Sequence, residues 1–565
     1  MDESAVGAAR PPSPSRTVPS GAPSSGPDLE PHHLGVPMSA TPAPPAKTGL
    51  TDKILNGVER AGNKLPEPFM LFLILFAVTG VVSTAMAWAD VEVTVPGSDE
   101  ATVIKGLFTG EGLTWLTTTI GENYIGFPPL VTVLPILLAI GISQHSGLLA
   151  AAIRKLFGSS PSWMLPYVVG FVGVVSSIMA DSAFVVVPPL AALVFKAAGR
   201  HPVAGLLGGF AAAGAGYSTN IFPTSLDALF AGITTSVMDA LPDFEFTSVN
   251  PVSNWFFNIA SSLVLGFVAG FIIDRILEPR LNRQGIGRDE ITEEGEVATS
   301  GESAEQMRAE LSPTENKGLI AAVIAAVVLT AIVLAATLVP ASPWRNEDGG
   351  FLPESPLLDS IVFLVVAYFI VLGLTYGIVV GTLRSTKDAV AMMTESLKEM
   401  LPFVVLAFIL GNFIALFNWS GIGTWIAVTG AAALEGIGLT GFPAVLGFIL
   451  LASCLNLFII SGSGMWAIMA AVFVPMFALI GYEPAFTQAA FRVGDSATQV
   501  ITPMNPYMIV LLGMLRKYEP GAGLGSLMAR MLPFVVPFWL VWTVILAVFF
   551  FADLPLGPGN GIFLG

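Results

Sequence analysis

The sequence predicts an all-α protein that crosses a membrane many times. Hydrophobic residues make up 53% of the 565 residues and charged residues only 12%, about half the charged share of a soluble domain. Mean hydropathy is +0.74. Apolar runs close to 20 residues, the length that a helix needs to span a bilayer, recur along the chain. These three observations predict a polytopic membrane protein.

Seven apolar runs predict uninterrupted spans: 68–88, 129–149, 255–274, 318–338, 357–381, 401–420 and 531–552. Two further segments, 203–233 and 485–515, are apolar but carry polar residues, Gly and Pro near their centres. A straight helix of this length would measure about 46 Å, well beyond a hydrocarbon core of about 30 Å. We therefore expect each of the two segments to be one broken helix.

Two stretches, 162–198 and 441–480, are apolar at both ends and carry a small polar cluster between them (SSIMADSAF and IISGSGMW). Each fits either two short spans or one re-entrant hairpin. With nine spans, two hairpins and a cytoplasmic N-terminus, 22 of the 25 Lys and Arg residues face the cytoplasm. Cytoplasmic loops are expected to carry this excess. The predicted fold is therefore nine transmembrane helices plus two opposed re-entrant helical hairpins.

The remaining segments complete the predicted domain organisation. Residues 1–46 are rich in Pro and Ser and lack apolar periodicity, which predicts a disordered cytoplasmic tail. We expect a first half at 47–275, an acidic cytoplasmic linker at 276–317, a second half at 318–552 and a short outer C-terminal tail at 553–565.

The two halves contain matching interrupted elements. In each half a predicted hairpin precedes a broken helix with a polar centre, GYSTN followed by Pro223 and GDSATQ followed by Pro503. Such an inverted repeat is typical of secondary transporters, whose sites lie at the breaks. Unwound backbone at membrane depth needs a ligand, an ion or water. The candidate break residues are Ser218, Thr219, Asn220, Ser496 and Thr498.

Charge and motifs narrow the function classes further. The net charge of −16 argues against nucleic acid as a partner. The phosphate-binding motif G-x-x-x-x-G-K-[ST] does not occur in the sequence, so we do not expect ATP to drive this chain directly. The single cysteine, Cys454, excludes an intrachain disulfide framework and a Cys-based metal site.

Three ionisable residues at membrane depth, Asp181, Arg492 and Asp495, are functional candidates because buried charge is costly in lipid. Arg492 and Asp495 are three residues apart on one predicted helix, so we expect them to be close enough to pair. The alternatives for Arg492 are a structural salt bridge, snorkelling to the outer face, and attraction of a carboxylate substrate.

Trp466 follows Ser463, at the second predicted hairpin tip, by three residues. A packing role and recognition of an aromatic substrate are both open for this tryptophan. Asp227 and Asp274 lie toward span ends, and we expect no special role for them.

These segments resemble the aminobenzoyl-glutamate transporter (AbgT) family, from about residue 50 to residue 552. The resemblance is carried by ADSAFVVVPPLAAL at 180–193, NPVSNWFF at 250–257, FNWSGIG at 417–423, SGSGMWAIMAAVFVPMF at 461–477 and RVGDSATQVITPMNPY at 492–507. It implies a homodimer in the cytoplasmic membrane of a bacterium and ion-coupled movement of p-aminobenzoyl-glutamate. It also implies export of sulfonamide antimetabolites by some members.

The resemblance also implies which residues carry the function. The family's functional positions correspond to Asp181, Ser463, Trp466, Pro484, Arg492, Asp495 and Pro503. We expect Asp181, Asp495 and the break residues to couple the ion. We expect Asp495 to contact the substrate as well, together with Ser463, Trp466, Pro484, Arg492 and Pro503. Gln499 stands where the family usually has Asn, and GYSTN is less Asn-rich than the family pattern. Sodium and proton therefore both stay open as the coupling ion, with no other cofactor expected.

Three other functions remain to be compared with this one. An intramembrane aspartyl protease would use an aspartate dyad, usually marked by G-x-G-D, but this chain has Arg492 at the first Gly position. A passive channel fits two opposed hairpins less well than alternating access does. A sodium-coupled dicarboxylate or citrate carrier of the same architecture is the main alternative.

Overall fold

The computed structural model describes residues 66–96, 101–241, 244–285, 311–459, 461–502 and 505–564. Within these ranges the regular secondary structure is helical apart from two isolated β-bridges and one small antiparallel ribbon, β1 (Glu92–Thr94) with β2 (Ala101–Val103). The predicted all-α class is confirmed, with the ribbon as an addition. The predicted disordered tail at 1–46 lies outside the described residues.

The described helices before residue 286 are α1 (Pro68–Trp88), α2 (Gly110–Ile125), α3 (Pro128–His145), α4 (Leu148–Gly158), α5 (Leu165–Val175), α6 (Ala183–Ala197), α7 (Pro202–Ala215), α8 (Ser225–Met238), α9 (Trp255–Ile272) and α10 (Glu278–Gln284). A 3-10 turn at Ser176–Ser182 joins α5 to α6, and a π-helical turn at Ile273–Leu277 joins α9 to α10.

The described helices after residue 310 are α11 (Pro313–Leu338), α12 (Pro356–Asp359), α13 (Ile361–Val380), α14 (Thr386–Glu399), α15 (Leu401–Trp419), α16 (Ile422–Gly436), α17 (Phe442–Asn456), α18 (Gly462–Leu479), α19 (Pro484–Thr498), α20 (Pro506–Leu515) and α21 (Leu524–Phe551). A 3-10 turn at Gln499–Ile501 follows α19.

All seven runs predicted as uninterrupted spans are mainly helical, and α1 has the predicted bounds. Two of the runs are interrupted, 129–149 between α3 and α4 and 357–381 between α12 and α13. Two helices begin earlier than predicted, α11 at Pro313 and α21 at Leu524. In α11 the cause is a capping box, in which the Ser312 and Glu315 side chains each accept a hydrogen bond from the other residue's backbone N–H. This polar first turn precedes the apolar run from which the span was predicted.

Nine helical stretches among the described residues are long and apolar enough to span a membrane. Their number equals the predicted number of spans, but the membership differs. The nine include Leu165–Ala197 and Gly462–Leu479, which lie in the two predicted hairpins. They do not include the two predicted broken helices, because each of these is divided into pieces of 15 residues or fewer.

Both predicted hairpins contain an interruption where their polar cluster lies. We define the first tip as Ser176–Ser182, where Ala180 has φ 46° and ψ −130°. We define the second tip as residues 456–463 without 460, from the last residue of α17 to the first two residues of α18. The positive φ of Ala180 is uncommon for a residue with a Cβ. Re-entry of these segments on one side of the membrane stays a prediction.

Both broken helices are confirmed as interrupted helices. The first break separates the end of α7 at Ala215 from the start of α8 at Ser225, and the second separates α19 from α20. Polar residues of the breaks cap the new helix ends. Thr224 caps α8 in a capping box with Asp227, and the Asn505 side chain accepts a hydrogen bond from the N–H of Tyr507 at the start of α20.

The breaks lie in the interior of the bundle. Every residue of α7 and of α19 is buried, whereas only Gly318 and Ala322 are buried in α11. Helix α7 contacts both α19 and the 3-10 turn of the second break. The two breaks are thus brought together at the centre, and α11 lies at the periphery.

Helical segments continue across the predicted boundaries at 275 and 317, whereas the predicted boundary at 46 lies outside the described residues. The boundary at 275 lies within a helical run that continues from α9 through the π-helical turn into α10. The predicted outer tail packs back on the bundle, since Leu556 and Ile562 are fully buried and Phe563 forms a β-bridge with Tyr482. Of the predicted linker, the structure describes 276–285 and 311–317.

Candidate functional site

The first break is held by hydrogen bonds from its own polar residues. The hydroxyl of Thr219 donates to the carbonyl of Asn258 on α9 at 3.0 Å. The side-chain amide of Asn220 donates to the carbonyl of Val175 at 2.7 Å and to the hydroxyl of Ser177 at 2.8 Å. Two of the three predicted ion-coupling residues of this break therefore fasten it to α9 and to the first tip.

The third residue, Ser218, connects the two breaks directly. Its backbone N–H donates to the hydroxyl of Ser496 at 3.1 Å, and the two hydroxyls also share a hydrogen bond. The hydroxyl of Thr498 accepts a hydrogen bond from the amide of Asn456 at 3.0 Å and donates to the carbonyl of Gly494 at 3.2 Å. The two breaks therefore meet at Ser218 and Ser496. Pro503 lies outside the described residues.

Arg492 pairs with Asp227, and the expected pair between Arg492 and Asp495 is not formed. One terminal nitrogen (NH1) lies 2.7 Å from the Asp227 carboxylate and donates to the carbonyl of Ser218 at 2.6 Å. The other donates to Gln488 at 3.1 Å. Asp495, three residues further along the same helix, is only a surface neighbour of Arg492. Asp227 instead approaches the guanidinium from α8, across the break. Snorkelling is excluded in this conformation, because Arg492 is 1% exposed.

Sequence reasoning missed Asp227 as a site residue. This carboxylate is 3% exposed and accepts hydrogen bonds from the backbone and hydroxyl of Thr224, both at 2.7 Å, and from the amide of Asn258 at 3.1 Å. The spacing of Thr224 and Asp227 right after the break is a capping-box signal. That signal would have placed the aspartate at the start of a half-helix facing the site.

Asp495 is fully buried; the Ser496 side chain interacts with its carboxylate, but neither carboxylate oxygen has a described hydrogen-bond partner in regular geometry. The adjacent Ser496 hydroxyl is engaged with Ser218. The side-chain oxygens of Asn456 and Gln499 are likewise buried without a described hydrogen-bond partner. Asp495 and Gln499 are one helical turn apart, and the amide nitrogen of Asn456 donates to the Asp495 carbonyl. Orphaned buried acceptors are uncommon and need an explanation; a bound cation or an added proton would satisfy them.

An aromatic wall lies beside the arginine. The ring of Trp466 is 4.7 Å from that of Phe491 and 6.1 Å from that of Phe230, over which the Arg492 guanidinium lies at 5.2 Å. The indole N–H of Trp466 contacts the Thr234 hydroxyl at 3.3 Å, and this hydroxyl accepts a hydrogen bond from the Gln488 amide at 3.0 Å. Gln488 also accepts from Arg492, so the cation and the aromatic rings belong to one network.

The other predicted site residues lie at different distances from this network. Ser463 is half-buried and its hydroxyl bonds with that of Ser461 at 3.2 Å. Pro484 is buried at the first position of α19, about 12 Å along the helix from Arg492. Asp181 is exposed at the first tip and interacts with the hydroxyl of Tyr507, just after the second break. The structure thus brings Trp466, Arg492, Ser218 and Ser496 together, and links Asp181 to the second break.

A bundle of apolar helices that encloses polar groups at two facing breaks defines a multi-pass membrane transporter. The family model described as "AbgT putative transporter family" matches residues 53–564. The chain belongs to the AbgT family.

Individual relatives agree with this assignment. The chain is 37% identical, over 92% of its own length and 98% of the relative's, to the p-aminobenzoyl-glutamate transport protein of Escherichia coli (strain K12). It resembles the crystal structure of the Alcanivorax borkumensis YdaH transporter with a TM-score of 0.79 and 33% identity, covering 87% of this chain and 100% of that one. It resembles Neisseria gonorrhoeae MtrF, of a class of antimetabolite efflux pumps, with a TM-score of 0.80 and 36% identity, covering 90% of this chain and 100% of that one.

Proposed function

We propose that this chain transports p-aminobenzoyl-glutamate, or a compound with the same combination of an aromatic ring and carboxylates. The observation that carries the proposal is the network that joins a fully buried arginine to Trp466 and Phe491. A substrate with a ring at one end and carboxylates at the other needs a cation and an aromatic wall at one depth. The named activity of the Escherichia coli relative supports the same substrate. None of the relatives described above is named as a dicarboxylate carrier.

The geometry assigns different tasks to the two charges of the buried pair. Asp227 occupies one terminal nitrogen of Arg492, whereas Nε is buried without a described partner. Arginine presents several donors in a rigid planar fork. We infer that Asp227 holds the guanidinium in place while its Nε edge is offered to a substrate carboxylate. Ser463, Pro484 and Pro503 remain proposed substrate contacts.

The test is binding of p-aminobenzoyl-glutamate, a sulfonamide and glutamate to purified variants. Arg492→Lys should weaken binding of the two carboxylate ligands at least tenfold, because lysine lacks the planar fork. Trp466→Ala should weaken binding of the two aromatic ligands more than that of glutamate, and the matched variant Trp466→Phe should restore most of it. Wild-type affinity of Arg492→Ala for all three ligands would place the substrate elsewhere.

We also propose that transport is coupled to a monovalent cation, sodium or proton, at Asp495. Carboxylate and amide oxygens suit a small hard cation, and Asp495, Asn456 and Gln499 present such oxygens without a described hydrogen bond of regular geometry. In the first break, by contrast, the Thr219 hydroxyl and the Asn220 amide already have hydrogen-bond partners. Flux into proteoliposomes under an imposed sodium or proton gradient tests the coupling. Equal flux with and without both gradients would exclude it.

The finer substrate range and the assembly are further proposals. The description of MtrF supports sulfonamide antimetabolites as additional substrates. We propose a homodimer in the cytoplasmic membrane with the N-terminus inside and the C-terminus outside, on the basis of the cation distribution and the family resemblance.

A further inference from the structure

Two tyrosines at the helix breaks each contact the tip that belongs to the other half of the chain. Tyr507, in the first turn of α20, stacks on Phe184 with ring centroids 5.3 Å apart and an interplanar angle of 9°. Its hydroxyl hydrogen-bonds to Asp181 of the first tip. Tyr507 belongs to the second half, whereas Asp181 and Phe184 belong to the first.

Tyr217 makes the reciprocal contact. It follows α7 directly in the first break, and the backbone N–H of Gly462 at the second tip hydrogen-bonds to its hydroxyl. A methyl group on Gly462 would lie 2.8 Å from a Tyr217 ring carbon and 2.9 Å from the hydroxyl oxygen. The close approach therefore requires glycine at this position.

The helices around these tyrosines pack in a matching way. Helix α6, after the first tip, packs on α20, and α18, after the second tip, packs on α8. In both contacts, the helix that follows a tip packs on the second part of the broken helix in the other half. The two contacts therefore correspond to each other if the halves form an inverted repeat. Each tip is thus docked on the opposite half.

The docked tips also lie close to the proposed ion site. Tyr217 is within the electrostatic influence of Asp495, Asp181 and Tyr507. Asp181 in turn interacts electrostatically with Glu399 at the end of α14. A movement of either tip would change the surroundings of both aspartates.

We propose that Tyr217 and Tyr507 are positioning residues that hold the second and the first tip docked, and that each tip must leave its tyrosine for one side of the site to open. The proposal rests on the transport function proposed above. Alternating access in inverted-repeat transporters moves one set of elements against the other around a fixed site. Because both tips are docked in this structure, the site is closed at both tips.

The test is the labelling rate of cysteines placed at the half-buried tip residues Ser182 and Ser463, one at a time, in a Cys454→Ala background. A membrane-permeant maleimide makes the result independent of topology. Tyr→Phe removes only a hydroxyl and keeps the ring, so the stack on Phe184 is retained. Tyr482→Phe is the matched control, since its hydroxyl contacts the backbone of Gly441 away from both tips.

Tyr507→Phe should raise labelling at 182 about tenfold, because its hydroxyl bonds a carboxylate, and leave 463 unchanged. Tyr217→Phe should raise labelling at 463 about threefold, because a neutral hydrogen bond is weaker, and leave 182 unchanged. Gly462→Ala should repeat the Tyr217→Phe effect from the other partner. Gly447→Ala, with no neighbour within 4 Å, should change neither rate.

Unchanged labelling in both tyrosine variants, or equal increases at both tips in each, would overturn the proposal. Substrate exchange by wild-type protein in liposomes is measured in parallel. Absence of exchange would contradict the proposed transport function. A labelling increase at 182 in Tyr507→Phe alone and at 463 in Tyr217→Phe alone would still show that each tyrosine holds its tip.

Discussion

At the scale of single residues, the site depends on how buried charges are compensated. Arg492 is paired with Asp227, whereas no described cation lies within ion-pair distance of Asp495, which interacts with the Ser496 side chain. Removing one partner of a buried pair leaves an uncompensated charge, which costs about 3–5 kcal/mol. Neutralising Asp227 should therefore lower the stability of the protein, whereas neutralising Asp495 should impair transport.

Asp227→Asn should lower the free energy of unfolding by about 3–5 kcal/mol, because the Arg492 guanidinium then stays buried without a counter-charge. Thermal unfolding of the purified protein in detergent measures the change. The double variant Asp227→Asn/Arg492→Gln should recover part of the loss, since neither charge remains. Asp274→Asn is the control, because its pair with Arg200 is partly exposed. Strictly additive effects of the two substitutions would contradict the coupling.

Asp495→Asn should abolish gradient-driven flux while the protein still inserts and keeps its unfolding temperature, because an amide cannot carry the proton or balance a cation. Asp181→Asn should have the same effect if the first tip takes part in coupling. Flux in proteoliposomes measures both, with the exposed loop variant Asp348→Asn as the control. Normal accumulation in both site variants would locate the ion elsewhere.

At the scale of the elements, the central helices approach each other too closely for larger side chains. Gly494 on α19 faces α17, and a methyl group on it would lie 2.5 Å from the Ala452 side chain and 2.6 Å from the Ile449 carbonyl oxygen. Gly494 lies two residues after Arg492 and one residue before Asp495 on the same helix. Its substitution should therefore move the whole site.

Gly494→Ala should destabilise the protein by about 1–3 kcal/mol through overpacking and reduce substrate binding. Gly513→Ala on α20 has no neighbour within 4 Å and should be neutral. Thermal unfolding and ligand binding of the two variants give the comparison. Equal behaviour of the two would show that α17 and α19 tolerate separation.

The elements also show what the sequence could predict. The broken helices were predictable because Gly, Pro and polar residues interrupt apolar runs that are too long for the bilayer. The partner of Arg492 was not, because Asp227 precedes it by more than 200 residues and meets it only after the two breaks pack together. The spacing along one helix favoured Asp495 as the partner of Arg492. No local sequence pattern indicates a contact between the two halves. The two tips were located by their Ser and Gly clusters, but sequence does not show which helix each one contacts.

At the scale of the whole molecule, burial separates a central unit from a periphery. The fully buried α7 and α19 carry the breaks, while the apolar side chains of α11 are mostly exposed. In a membrane that exposure suits contact with lipid chains. Helix α13 packs on α11 and on α3, and most of its residues are half-buried. Its two ends carry exposed residues, which allows its orientation to be tested.

The predicted topology requires the two ends of α13 to lie on opposite sides of the membrane. Glu347 precedes this span and Lys387 follows it, both exposed, and the cation distribution places Lys387 in the cytoplasm. In a Cys454→Ala background, an impermeant maleimide should label Glu347→Cys only in spheroplasts and Lys387→Cys only in inverted vesicles. A single cysteine at Asp553, after α21, should label like Glu347→Cys if the C-terminus is outside. Labelling of the first two positions from the same side would refute the nine-span topology and, with it, the opposed orientation of the two halves.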